Sequence, residues 1–343
     1  MSASGPIPDL PPEPTRPISR VRAYLALFLF AAIAGVLVLA WGVSRFQAPG
    51  PHQESQRIIV PKGSGLGQVA AVLEARGLVH NSLIFRLAMR FRGSTLRVQA
   101  GEYEVPARAS MAQIARLLES GAVLLHDITI PEGLTSQQII DLLMAMPVLV
   151  GAVELPPEGS LLPETYRVER GMTRAALVTK MQAAQTRLLA DLWPKRLDAL
   201  PLKTPQEAVI LASIVEKETG LVSERKQVAA VFINRLNRNM RLQSDPTIIY
   251  GLVGGKGVLG RPIRRSEIRR ETPYNTYRIK GLPPTPIANP GAAALAAVLQ
   301  PADSDALYFV ADGTGGHVFA RDLAGHNRNV AKWRQIQRQQ GLR

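Results

Sequence analysis

The stretch 204-TPQEAVILASIVEKETG-220 decides how the rest of this chain is read. Thr204 is a favourable helix N-cap, Pro205 suits the first helical position, and Glu207 completes a T-x-x-E capping box. Gly220 is the expected stop. At about 100° per residue, Ala208, Leu211, Ile214 and Val215 share one apolar face, and Glu218 falls among them. Glu216 projects almost opposite, beside Gln206, Ser213 and Lys217. The pattern predicts a helix with one glutamate turned inward and another, two residues earlier, turned to solvent.

A carboxylate on the core side of a helix is costly unless it is paired, hydrogen-bonded or protonated. Glu218 also sits in the last turn, where the negative end of the helix dipole disfavours its ionised form. Both effects raise its pKa toward the range of a general acid working near neutral pH. The competing reading is a buried Glu paired with one of the many Arg and Lys residues.

The 343 residues carry 41 Lys and Arg against 27 Asp and Glu, a net charge of +14 that suits nucleic acid, anionic lipid or an anionic polymer. There is no cysteine, which excludes a disulfide framework, a thiolate metal site and a thiol nucleophile. Residues 1–22 are rich in Pro and basic residues and are expected to be a disordered cytoplasmic tail. Residues 23–43, AYLALFLFAAIAGVLVLAWGV, carry no charge and are long enough to cross a bilayer. A signal peptide is the rival reading, but the run exceeds an ordinary h-region and no small-x-small cleavage site follows. Arg16, Arg20 and Arg22 precede the span and only Arg45 follows it at once, so the positive-inside rule places the N-terminus in the cytoplasm. The expectation is a single-pass plasma (inner) membrane protein with its bulk outside the cytoplasm, which removes nucleic acid as a partner.

After a polar linker (44–56), residues 57–125 read as a small strand–helix–helix–strand module. Expected are a strand at Arg57–Val60, helices on Leu66, Val69, Ala70 and Leu73 and at Leu83–Phe91, and a strand at Arg97–Val105. Ser110 caps a further helix. The glycines of GSGLG do not follow GxGxxG, and no nucleotide is expected. By element order the module resembles the LysM fold of cell-wall glycan binders, the competing reading being a structural subdomain. Residues 126–172 connect it onward through a strand at His126–Ile130, a helix from Ser136 and the loop EGSLLPETYR. Residues 173–343 form the expected catalytic domain, in which Glu224–Arg238 packs on the 204–220 helix as an αα-hairpin.

From Met240 the helical periodicity gives way to turns, then a short helix at Ala292–Leu299, a hairpin through Asp312-Gly313 and Gly315-Gly316, and a basic helix from Asn327. Gln243, Ser244, Asp245, Tyr250, Tyr274, Asn275, Thr276 and Tyr277 crowd into this turn-rich region, which suits a hydroxyl- and amide-rich ligand such as a carbohydrate polymer. Ser244-Asp245-Pro246 reads equally well as a helix N-cap. His317 and His326 lack H-E-x-x-H spacing, and no metal is expected.

SIVEKET (213–219), ER-x2-VA-x-VFINRL (224–236), MRLQSDPT-x2-YG (240–251), ETPYNTY (271–277), GLPPTPI-x-NPG (281–291), YFVAD (308–312) and GGHVF (315–319) follow in order. Together with EGSLLPETY (158–166) they resemble the YceG-like family of endolytic murein transglycosylases. Two departures are mild: Glu164 stands where the upstream motif often has Asp, and SDPT replaces TDPT. The resemblance implies an α+β fold with a lysozyme-like helical core and β-rich loops. It also implies a membrane-anchored enzyme that cuts the MurNAc–GlcNAc bond of nascent peptidoglycan strands, leaves 1,6-anhydro-MurNAc ends and needs no cofactor. The family's catalytic glutamate falls on Glu218, while Gln243, Asp245, Tyr250, Asn275 and Tyr277 are candidate substrate contacts, and peptidoglycan synthases are possible partners. Two alternatives remain open: a non-catalytic glycan-binding scaffold, and a muramidase that uses water with Asp245 as a second carboxylate.

Overall fold

The computed structural model describes residues 18–91 and 99–339. Of the expectations above, disorder in residues 1–17 and the beginning of a strand at Arg97 lie outside the described residues. The chain divides into two compact units, residues 1–124 and 125–343.

The first unit opens with helix α1, Ile18–Gln47. It is the helix of the described residues long and apolar enough to cross a membrane. Helical structure reaches back to Ile18, so the expected disordered tail ends earlier than Arg22. It also continues past Val43 into the segment read as a linker. Phe46 is 7% exposed and enters the unit's core, its ring 6.5 Å from that of Phe85. The rest of that segment is docked as well, because Gly50 N–H donates to Arg108 O and Arg108 N–H returns the bond to His52 O. Apolar Phe46 and the backbone pairing of Gly50 and His52 outweigh the polar composition that suggested a free linker.

Strand β1 (Gln56–Val60), helices α2 (Leu66–Ala75) and α3 (Ser82–Phe91), and strand β2 (Gly101–Val105) follow in the expected strand–helix–helix–strand order. The two strands pair antiparallel, Gln56 opposite Val105 and Val60 opposite Gly101. Alternation places Ile58, Val60, Tyr103 and Val105 on the buried side. Helix α4 (Met111–Ser120) has the predicted Ser110 cap, which forms a capping box with Gln113, and ends at Gly121, which takes the left-handed conformation at φ 65°.

In the second unit, β3 (Leu125–Thr129) and α5 (Ser136–Ala145) are followed by β4 (Thr165–Glu169), which pairs antiparallel with β3. The strand corrects the reading of 158–167 as a loop: Tyr166 and Val168 alternate inward, at 4% and 0% exposure, from a segment too short to show a period by itself. Helix α6 (Arg174–Leu192) adds Leu177, Val178 and Met181 to that core.

Helix α7 (Pro205–Glu218) and helix α8 (Arg225–Asn237) pack as expected. Helices α9 (Asp245–Val253) and α10 (Arg265–Arg269) interrupt the region expected to be all turns, with Ser244 at the N-cap position of α9. Helix α11 (Ala292–Leu299) closes over both α7 and α8. The hairpin β5 (Tyr308–Ala311) and β6 (His317–Ala320) leads into α12 (Leu323–Gln339), which starts before Asn327 because Asp322 Oδ1 accepts the Gly325 N–H.

Packing on several sides makes α7 the central helix of this unit, with every residue from Ala208 to Val215 buried. That corrects two expectations. Ser213 is fully buried, donating to Ile210 O and accepting from Ile287 N–H. Glu216 does not face solvent: its side chain is 4% exposed, paired with Arg225 at 2.8 Å and accepting from Gly291 N–H at 2.9 Å. A two-faced wheel assumes one wet side, and α11 with the Asn289–Gly291 turn removes it.

Candidate active site

The site begins at the two ends of α7. Thr204 Oγ1 accepts from Glu207 N–H as predicted, but the Glu207 carboxylate reaches Lys203 N–H instead of closing the capping box on Thr204. At the other end Thr219, at φ −140° and ψ 131°, stops the helix one residue before the expected Gly220. Glu218 is therefore the last helical residue.

The Glu218 carboxyl accepts a hydrogen bond from Ser244 Oγ at 2.5 Å. Burial is the largest influence on it and pushes its pKa up from 4.5 to about 7, with help from the charge of Asp245. Ser244, His317 and Arg235 oppose that rise and keep the ionised form within reach. A carboxyl poised there gives up and regains a proton near neutral pH.

Ser244 is held by the turns around it. Its N–H donates to Thr276 Oγ1 at 2.9 Å and its carbonyl accepts from Thr247 Oγ1 at 2.6 Å. Gln243, whose backbone sits at φ 54°, donates its N–H to Thr276 O and leaves its side chain exposed. Arg235 on α8 locks the same turn from beneath, donating to Leu242 O and Leu307 O and lying over the Tyr308 ring at 5.2 Å.

The predicted site residues separate into three places. Gln243, Asp245 and Tyr277 gather around Glu218 and Ser244; the Tyr277 hydroxyl donates to Asp245 Oδ1 at 2.8 Å. Asn275 is 1% exposed, and its amide donates to the carbonyls of Glu267, Ile268 and Arg270 while its carbonyl takes the Tyr277 N–H. Those bonds occupy it inside its own loop. Tyr250 belongs to a second polar knot, donating to Glu158 Oε2 at 3.1 Å with its ring 5.0 Å from that of Tyr274.

Sequence reasoning missed the anchor of that knot. Glu158 accepts from Ser136 N–H at 2.8 Å and from the Asn289 amide at 3.1 Å, and burial raises its pKa. The one hint was an acidic residue beside Gly at the head of EGSLLPETYR. Glu224 was missed too. Its carboxylate takes His317 N–H through Oε1 and stands 2.8 Å from His317 Nδ1 through Oε2, fixing the hairpin histidine. His326 stacks on Tyr308 at 5.1 Å.

The fold ends its central helix α7 in a desolvated carboxyl framed by the turns that carry Ser244, Asp245 and Tyr277. The model of the YceG-like family matches residues 58–332, and the chain belongs to that family. Two curated relatives, from Streptococcus pneumoniae (strain ATCC BAA-255 / R6) and Bacillus subtilis (strain 168), are each named endolytic murein transglycosylase. The first is 31% identical over 322 residues, covering 80% of this chain and 57% of its own length. The second is 27% identical over 308 residues, covering 80% and 84%. The chain thus spans little more than half the length of the pneumococcal relative. A yceG-like protein from Listeria monocytogenes has a solved structure that is similar at TM-score 0.50 and 28% identity, covering 80% of this chain and 98% of that one.

Proposed function

We propose that this chain is an endolytic peptidoglycan lytic transglycosylase, with Glu218 as acid and then base. Protonated Glu218 donates to the oxygen linking C1 of N-acetylmuramic acid to N-acetylglucosamine, and the C1–O bond breaks. The carboxylate left behind takes the proton of the muramyl C6 hydroxyl, whose oxygen bonds to C1 and closes the 1,6-anhydro ring. No water is consumed. The observation that carries this reading is the carboxyl of Glu218, half-buried at the end of α7, bound by Ser244 and pushed up to about 7. Asp245 is engaged by Tyr277, which favours a role in ordering the α9 turn over that of a second hydrolytic carboxylate.

In this reading Gln243, Asp245 and Tyr277 line the glycan path, and Asn275 and Tyr250 hold its walls. The module at 57–125 binds glycan in the manner of LysM folds, supported by its strand–helix–helix–strand order. Residues 126–172 join it to a catalytic domain with a lysozyme-like helical core. Helix α1 anchors the chain in the plasma membrane with the N-terminus cytoplasmic, supported by its apolar length and by Arg20 and Arg22 at its start. Synthases that make the strands are natural neighbours for an enzyme that ends them.

Glu218→Gln protein digesting purified glycan strands, read by mass spectrometry, tests the assignment. The expected result is a folded protein that releases no anhydro-ended fragments. Full release by the variant, or wild-type ends heavier by one water, overturns it.

A further inference from the structure

Helix α3 shows four distinct edges around its circumference. Phe85 and Met89 point into the core of the first unit at 0% exposure, and Ile84 and Ala88 are partly buried beside it. Next in angular order come Phe91, Leu87 and Leu83, at 84%, 46% and 56% exposure, and then exposed Arg90 and Arg86. A solvent-facing apolar stripe bordered on one side by arginines is unusual for a helix surrounded by water, and it is the pattern of a helix lying at a membrane surface.

The stripe is continuous with α1. A groove of about 510 Å³ between the two helices is lined by Val38, Leu39 and Trp41 from one and by Ile84, Leu87 and Phe91 from the other. Val38 lies five residues before Val43, the end of the uncharged run, so α3 descends beside the span by about 7 Å. Interfacial helices bury their apolar faces by about 5–10 Å. Trp41 stands at the same level, where an interfacial aromatic belongs.

We propose that α3 is seated in the interfacial layer of the bilayer that α1 crosses, with Leu83, Leu87 and Phe91 among the upper acyl chains and Arg86 and Arg90 on anionic headgroups. This inference rests on α1 being a membrane anchor. The long arginine stems reach headgroup level while their methylenes cover the edge of the stripe. Lipid fits the stripe better than a partner protein because the charges that α3 itself sets along its border, Arg86 and Arg90, are both basic and its apolar side continues onto the span.

The chain contains no cysteine, so single substitutions report cleanly. Full-length Leu87→Cys, Val36→Cys and Val258→Cys proteins are labelled with a polarity-sensitive fluorophore and reconstituted alone into phosphatidylcholine–phosphatidylglycerol vesicles. Doxyl lipids labelled near the headgroup end and aqueous iodide serve as quenchers, and Leu83→Cys repeats the reading on the stripe. The expected result is that the Leu87 probe is quenched several-fold more by doxyl lipid than the exposed Val258 probe and several-fold less by iodide. A Leu87 probe as open to iodide as Val258, with Val36 still in lipid, overturns the seating of α3 and leaves the anchor intact. Iodide access at Val36 overturns both. Shielding of Leu87 from iodide and from doxyl lipid alike identifies a protein contact and also overturns the proposal.

Discussion

Replacing Glu218 with Gln should make the protein more stable, and by an amount that depends on pH. The native carboxyl has its pKa raised from 4.5 to about 7 by burial, so the folded state holds this proton more tightly than the unfolded chain does. Between pH 4.5 and about 7 the folded state therefore binds more protons, and stability falls as pH rises through that window. Above it the full deficit is present, about 3 kcal/mol at 1.36 kcal/mol per pH unit. Glutamine is neutral throughout and still accepts from Ser244 Oγ, so the variant escapes the deficit. Near pH 4 the two proteins should melt together, and at pH 8 the variant should melt higher by about 6–12 °C, at about 2–4 °C per kcal/mol. Thermal unfolding of the full chain in detergent, followed by circular dichroism at several pH values, measures this. A difference that is flat with pH, or a variant less stable at pH 8, would refute the claim that desolvation of Glu218 outweighs the groups that favour its ionised form.

Ser244→Ala removes the hydrogen bond that favours ionised Glu218, so the alkaline limb of the kcat/KM profile should move up by about one pH unit, given about 1.5 kcal/mol for a bond to a charged group. Arg225→Ala leaves Glu216 buried without its cation, and urea denaturation should show a loss of about 3–5 kcal/mol. Asn275→Ala deprives the carbonyls of Glu267, Ile268 and Arg270 of their donor; a loss of about 2–3 kcal/mol is expected, with KM changing more than kcat.

Much of this organisation could be read from residue order. The long apolar helix, the strand–helix–helix–strand order, the Ser110 cap and the α7–α8 pair all depend on local pattern and are present in the structure, the apolar helix running several residues further at each end than expected. The inward placement of Glu218 and its raised pKa were legible because it combined a helix face with a helix end. The error at Glu216 came from the same wheel, since a single sequence does not reveal that α11 covers the second side of α7. Glu158 was hidden for a related reason: its partners Ser136, Tyr250 and Asn289 are spread over more than a hundred residues. Asn275 shows the opposite error, in which polar character suggested a ligand although the amide serves the chain's own backbone. Ser244 read as site or cap with equal ease, and the structure gives it the cap position while its hydroxyl serves Glu218.

The entry of Phe46 into the core of the first unit makes α1 an axle fixed to that unit, with no swivel between them. One residue inserted between Val43 and Phe46 would turn everything that follows by about 100° and lift it by about 1.5 Å. Seven would restore the facing to within about 20° while raising the unit by about 10 Å. The length of this short segment therefore acts as a phase setting, and exchanging the apolar helix for another would preserve both the unit's heading and its height only if the count to Phe46 were kept.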